Sequence, residues 1–285
     1  MRFWARTACA VAAALASLTV AACGRQSESS PPAPTAKSDA APPAKKDASA
    51  TGGPEANRQT SRNNLYIIWL GICNHHDSFM RLPRQSWTHH TTANSGTPGG
   101  LSWRVHLLPQ IGHEELYSQF KLGEPWDGET NKKLIEKMPR VYATPGVAAE
   151  PGHTYFKVFA GPKTPFDPTY APGLSEFSDG VSNTICAVEG GAPVVWTKPD
   201  DITVDLSKPL PDLSLAGNRK ISVIMFDGTC RTLDLDTVQQ ATLKAAVTPA
   251  GGEVLGPDWA TGAPAVPRKP APAGTTPKTP PPTSK

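Results

Sequence analysis

Proline placement is what most limits where this chain can fold. Of its 31 prolines, six fall in residues 24–56 and eight in residues 262–285. Both stretches are otherwise mainly Ala, Ser, Thr, Lys and Gly, with almost no aromatic or large aliphatic side chains. A proline has no N–H to give to a ladder or helix. Segments this poor in apolar surface cannot offset the entropy of ordering. Both therefore read as disordered flanks, the second Pro-rich and basic through Arg268, Lys269, Lys278 and Lys285. What remains is 57–261, about 205 residues, enough for one core that buries roughly 70% of its unfolded surface.

The net charge is +3. Arg2 and Arg6 lie in the first 22 residues, so the chain from Cys23 onward is nearly neutral. No basic stripe runs through 57–261, which argues against nucleic acid as a partner. No apolar run of about 18 residues follows position 22, so no membrane-spanning helix is expected. Position 22 itself is informative. Residues 1–6 hold the two arginines, 7–20 are apolar and rich in Ala and Leu, and then comes Val20-Ala21-Ala22-Cys23-Gly24. Small residues before a cysteine at this point resemble the lipobox of a bacterial lipoprotein signal peptide. That resemblance implies cleavage after residue 22 and lipidation of Cys23. The chain would be a lipid-anchored protein of the cell envelope, held at the outer membrane or the periplasmic face of a membrane. Residues 23–56 would be its tether, with a mean reach of roughly 30 Å as a coil and roughly 100 Å if extended. Two or three acyl chains hold stably where one does not. Export also places Cys73, Cys186 and Cys230 in an oxidising compartment. Cys186 and Cys230 lie in strand-like runs and could pair across a sheet; the alternative, which we prefer, is three small buried thiols.

Within 57–261 the pattern changes once. Leu65, Ile68, Ile72 and Phe79 recur at helical spacing over 57–80, with Thr60 or Ser61 as cap and Pro83 as stop. Residues 84–100 read as a loop, 101–108 as a short strand or helix, and 113–120 and 129–138 as helical turns. Strands come next: 154–160, 183–189, and a hairpin of 221–226 and 229–233 joined through Asp227-Gly228, which suggests a type I′ turn. A short helix is expected over 237–247. A helix followed by antiparallel strands gives an α+β fold.

The ordered motifs of this core resemble a bacterial family abundant in planctomycetes, the domain of unknown function 1559, also labelled solute-binding-type. The residues concerned are Asn63-Asn64-Leu65, Asn74-His75-His76-Asp77, Trp103-Arg104, Leu107-Leu108-Pro109 and Glu124-Pro125-Trp126-Asp127. Met138-Pro139, Ser178-Asp179-Gly180, Trp196-Thr197-Lys198-Pro199-Asp200 and Phe226-Asp227-Gly228 come after them in order. The resemblance implies a pseudopilin-like architecture: one N-terminal helix packed on an antiparallel sheet with long loops. The chain departs from the family in lacking the prepilin segment, in having Tyr142-Ala143-Thr144-Pro145 where the family has Cys before Pro, and in Cys73 where it often has His.

Chemistry has little support from motifs. All seven histidines lie between positions 75 and 153. His76 stands three residues from Cys73, and a His89-His90 loop could fold back onto it, but neither HExxH nor a pair of CxxC motifs is present. No metal and no cofactor is expected. There is no GxSxG elbow, no GxGxxG and no P-loop. Ser182 follows a turn whose Asp, Ser and Asn satisfy backbone groups. Glu189 and Asp227 would form a carboxylate pair only if their positions adjoin. The chain therefore reads as no enzyme. For ligand binding, Trp126 and Trp196 beside prolines in polar loops, with His76 and Asp77, are the candidate residues. The alternatives are that the tryptophans plug loops onto the core and that His76 and Asp77 fix a loop at the helix end.

The sequence thus supports a non-catalytic, lipid-anchored envelope protein engaged in protein interaction or envelope assembly with an unknown envelope protein. The second reading is a solute- or glycan-binding lipoprotein that holds a small ligand with loop Trp and His residues. The first expects an exposed apolar patch and no deep pocket; the second expects a concave pocket walled by Trp126 or Trp196. A metal site would need at least three of His75, His76, His89, His90, His106 and Asp77 to converge. The anchor is testable by itself. Replacing Cys23 with Ser should move the protein from the membrane fraction to the soluble envelope fraction; continued sedimentation with membranes would refute the lipobox.

Overall fold

The computed structural model describes residues 53–87, 100–253, 255–256 and 258–259. The signal segment, Cys23, the tether as far as residue 52, His89-His90 and the 262–285 tail lie outside them.

The first element is helix α1, Pro54–Phe79. It starts three residues before the expected position because proline's fixed φ suits the first turn, where its missing N–H costs nothing. Thr60 and Ser61, expected as caps, are therefore inside the helix. Thr60 bonds back to the Ala56 carbonyl at 2.9 Å, and Ser61 faces inward. The helix stops at Met80, which adopts a left-handed conformation (φ 55°) and donates its N–H to the His76 carbonyl. Leu65, Ile68 and Ile72 are fully buried along one stripe. No described helix is long and apolar enough to cross a membrane.

Short pieces come next. Strands β1 (Ser86–Trp87) and β2 (Leu101–Ser102) pair antiparallel. Helices α2 (Trp103–His106) and α3 (Glu114–Tyr117) are single turns, and the region expected as a turn near 129–138 is a 3-10 helix, Asn131–Lys137. The main sheet comprises β3 (His153–Lys157), β5 (Ile185–Val195), β7 (Lys220–Met225) and β8 (Cys230–Asp234), in the order β3-β5-β7-β8 and antiparallel throughout. Between them, β4 (Phe159–Ala160) and β6 (Ile202–Thr203) form a small parallel pair. Helix α4 (Gln240–Val247) closes the described fold.

The sheet is covered on both faces. On one, Phe156, Cys186, Ala187 and Ile224 pack with Leu65, Ile68 and Ile72 of α1. On the other, Ile185, Val188, Val223, Met225 and Leu233 pack with Leu243, Ala246 and Val247 of α4. Two-sided burial explains the near-continuous apolar run of β7. A β-bulge shifts register between Ile185 and Ala187, opposite Met225 and Ile224. It lets Cys186 and Ala187 share the α1 side. A larger one separates Glu189 from Val194 opposite Phe156 and Thr154. Gly190 makes the second bulge fit, because a Cβ there would stand 2.4 Å from the Leu213 carbonyl oxygen.

The β7–β8 hairpin is present but its turn is not type I′. That turn needs two residues with positive φ. Here Gly228 (φ 82°) has one and Asp227 does not. The Gly228 N–H bonds to Met225 O at 3.0 Å and Met225 N–H to Thr229 O at 3.0 Å. This is a three-residue loop, a type I turn followed by a left-handed glycine. From α1, Trp69 reaches it and donates its indole N–H to Phe226 O at 2.9 Å.

A buried polar knot joins the parts of the core distant in sequence. The side chains of Arg104 and Asp201 are completely buried and pair at 2.6 Å. Arg104 also donates to Phe156 O at 2.9 Å and to Ser102 Oγ at 2.8 Å. The Asp201 carboxylate accepts the Trp103 indole N–H at 3.2 Å and the Val158 N–H at 3.1 Å. Tyr142 donates its hydroxyl to Arg104 O at 2.8 Å. Removing one partner strands the other charge in the interior, at a cost of about 3–5 kcal/mol. Arg104→Met should therefore lower stability by about that amount, read as a reduced urea midpoint with an unchanged slope. A midpoint within error of the wild type would show that the knot does not hold the fold.

Candidate functional site

The four residues that the sequence singles out do not form one site. Trp196 is fully buried. Its indole N–H donates to Ile135 O at 2.8 Å, and its ring stacks on Tyr142 at 5.9 Å and meets Phe120 edge-on at 5.7 Å. It is a core plug, and the expectation that it walls a pocket is corrected. Trp126 is partly buried against the same core, with the Lys198 ammonium 5.8 Å from its ring centre. His76 Nε2 accepts the Leu174 N–H at 3.2 Å, which places the proton of the neutral ring on Nδ1, 3.6 Å from Asp77 Oδ1. His76 thus fixes the 174 loop to the end of α1, while Asp77 is largely exposed.

The remaining chemistry-bearing residues are dispersed. His75 is buried and bonds to Arg81 O at 3.1 Å; burial pushes its pKa down to about 4. His106 is buried beside Tyr117. Among the described residues no group of three His, Cys, Asp or Glu could hold a metal ion. Cys73, Cys186 and Cys230 are free thiols. β7 lies between the strands of Cys186 and Cys230, so about 10 Å separates those strands and no disulfide can span it. Burial raises Cys73 and Cys230 to about 11 and Cys186 further, so all three stay protonated and weakly nucleophilic. Asp227 sits in the hairpin turn near Ile185, four residues along β5 from Glu189, and the two carboxylates do not pair.

Glu189 instead lies under α1. It is buried and accepts the Ser61 hydroxyl at 3.0 Å. Burial pushes its carboxyl up to about 7, with the Ser61 hydroxyl pulling the other way.

Among the described residues a concave feature lies elsewhere. A cavity of about 430 Å³ opens between residues 161–176 and residues 248–253, with Leu206 also in its wall. None of Trp126, Trp196, His76 and Asp77 lines it. Both loops are held by carboxylates bonded to backbone N–H groups. Asp167 takes Lys163 N–H at 3.2 Å and Thr169 N–H at 2.7 Å. Glu176 takes Gly173 N–H at 2.8 Å, the Arg81 guanidinium at 2.7 Å and the Tyr170 hydroxyl at 2.7 Å. These bonds, the Gly173 one foremost, hold its carboxyl below the usual range. Asp179 takes Gly251 N–H at 2.8 Å and Gly252 N–H at 3.0 Å. The Ser178-Asp179-Gly180 motif therefore anchors the second wall, a role its sequence shows only as a turn. Lys163, Tyr170 and Glu253 carry no motif that would have marked them.

A second surface is the outward side of α1. Tyr66, Ile67 and Leu70 are each about two-fifths exposed. Spaced one and four residues apart, they form one apolar strip over a single turn, between exposed Asn63 and Asn74.

Residues 54–171 match the model of a family described as protein of unknown function (DUF1559). That segment belongs to the DUF1559 family. No curated protein and no solved structure matches the chain. The DUF1559 segment contains α1, the polar residues Arg104 and Tyr142, β3 and the first wall of the cavity as far as Ala171. Asp179, Asp201, the rest of the sheet and the second wall lie beyond it.

Glu189 gives the stability of the fold a pH dependence of defined sign. Its carboxyl is protonated in the folded protein up to about pH 7 and ionised in the unfolded chain above about 4.3. The folded state thus binds more protons across that window, and stability falls as pH rises from about 4.5 to 7, then levels. Glu189→Gln should flatten this profile, matching the wild type at pH 5 and exceeding it by about 1–3 kcal/mol at pH 8. Urea melts at both pH values decide it, and parallel wild-type and variant profiles would contradict the assignment.

Proposed function

We propose that this chain is a non-catalytic envelope protein, exported and anchored through lipid on Cys23, whose pseudopilin-like α+β domain serves protein interaction or envelope assembly. The lipobox and the Pro-rich tether support the anchor. A single N-terminal helix packed on an antiparallel sheet supports the pseudopilin-like reading. The observation that carries the interaction role is the Tyr66, Ile67 and Leu70 strip. Helices at the surface of a globular domain ordinarily turn charged or polar residues outward. Here the turn at the centre of the outward side is apolar and uncharged. It fits a partner segment that presents aliphatic or aromatic side chains, and association would remove this surface from water.

The same strip supplies the test, because its residues are exposed and their replacement leaves the core intact. In native gel electrophoresis of gently solubilised envelopes, the wild type should migrate in an assembly larger than its own mass. Ile67→Glu combined with Leu70→Glu should return it to the mass of the single chain, with an unchanged melting temperature. Wild-type protein that migrates alone, or an assembly that survives both charges, would overturn the proposal.

A further inference from the structure

The cavity between residues 161–176 and 248–253 carries an inference separate from the helix surface. We propose that it binds a zwitterion of di- or tripeptide size, with Lys163 holding the ligand carboxylate and Glu253 its ammonium. Most polar groups of the walls are already engaged within the protein. Asp167 and Glu176 are engaged by backbone N–H groups of their own loop, and Asp179, behind the second wall, by those of Gly251 and Gly252. The Thr164 hydroxyl donates to Gly161 O at 2.9 Å and accepts from Gly161 N–H at 3.1 Å. Thr248 bonds to the carbonyls of Lys244 and Ala245, both at 3.2 Å.

Two opposite charges are left over, one on each wall. The Lys163 ammonium has no ion pair and no hydrogen bond among the described residues; only its backbone N–H is engaged. The Glu253 carboxylate has no ion pair among them, and its one hydrogen bond is a long one from Thr248 Oγ1 at 3.4 Å. The same lining presents apolar side chains from Pro172, Leu206, Pro249 and Ala250. An apolar hollow with a few convergent polar groups is the usual form of a small-molecule site, and about 430 Å³ lies at the small end of the range for such sites.

The backbone of Lys163 adds an independent observation. It is one of three non-glycine residues with positive φ among those described, at 66°. Only glycine takes that conformation without steric cost, and Asp167 secures it by accepting the Lys163 N–H. A strained backbone at a cavity wall, where glycine would be unstrained, points to a need for the side chain. A glycan is a poorer fit. Tyr170 is the one aromatic ring in the lining; its hydroxyl is bound to Glu176 and Arg81, and the Arg81 guanidinium lies 5.5 Å from its ring centre.

The test is calorimetric titration of the full chain with alanyl-leucine, its N-acetyl form, its C-terminal amide, and maltose. The free dipeptide should bind saturably, and blocking either end should weaken it at least about tenfold. Lys163→Met should weaken the free dipeptide similarly and no longer distinguish it from the amide. Glu253→Gln should lose the distinction from the N-acetyl form. A variant that merely disturbs the loop would weaken all three peptides alike and keep both distinctions, and that result would overturn the assignment of roles. No saturable heat from alanyl-leucine at millimolar concentration, equal affinity for the blocked peptides, or binding of maltose alone would each overturn the proposal.

Discussion

The buried pair of Arg104 and Asp201 is the constraint around which the core is arranged. Ninety-seven positions separate them, yet they meet at full burial. A guanidinium and a carboxylate taken out of water offset their desolvation only when their remaining donors and acceptors are also engaged. Here they are, by Ser102, Trp103, Phe156 and Val158. Those partners come from β2, α2, β3 and the junction between β3 and β4. One ion pair thus fixes the segment after α1 to the edge strand β3 and to the loop that leads from β5 into β6. The pair straddles the end of the DUF1559 match, Arg104 within residues 54–171 and Asp201 beyond. The matched segment therefore depends on residues outside it to satisfy its own buried charge.

The elements visible in the sequence are those set by local periodicity. α1 follows from Leu65, Ile68 and Ile72, and the β7–β8 hairpin from two β-branched runs around Asp227-Gly228. The features that local pattern does not reveal are set by distance. The turn type is one of them, because Asp-Gly is shared by two-residue and three-residue loops, and the bonds of Met225 select the longer one. β5 extends to Val195, past Gly190-Gly191-Ala192-Pro193, a string that reads as a loop. It remains within the strand because Lys157 donates to the Ala192 carbonyl at 2.5 Å and Leu213 takes the Gly191 N–H at 3.0 Å.

The site is less legible than the fold, for a related reason. Trp196 stands out for its polar, proline-flanked neighbours, but a tryptophan in such a loop is equally suited to close it onto the core, and Ile135 accepts its N–H inside. The cavity depends on carboxylates that reach backbone amides of other loops. Asp179 contacts Gly251 across 72 positions, and nothing local to either residue announces that bond. Lys163 stands in Gly161-Pro162-Lys163-Thr164-Pro165, which marks a loop without saying which residue carries its strain.

The strand order has a consequence for how copies of the chain can meet. β8 is a terminal strand of the four-stranded sheet, and a terminal strand offers unpaired backbone groups to any neighbouring chain. This one is five residues long and carries Arg231 and Asp234, with Lys220 opposite Asp234 in register. Short length and charge are the devices that discourage strand addition. A protein crowded beside its own copies would thus be guarded against runaway sheet extension, which leaves contacts between side chains as the safer route to assembly.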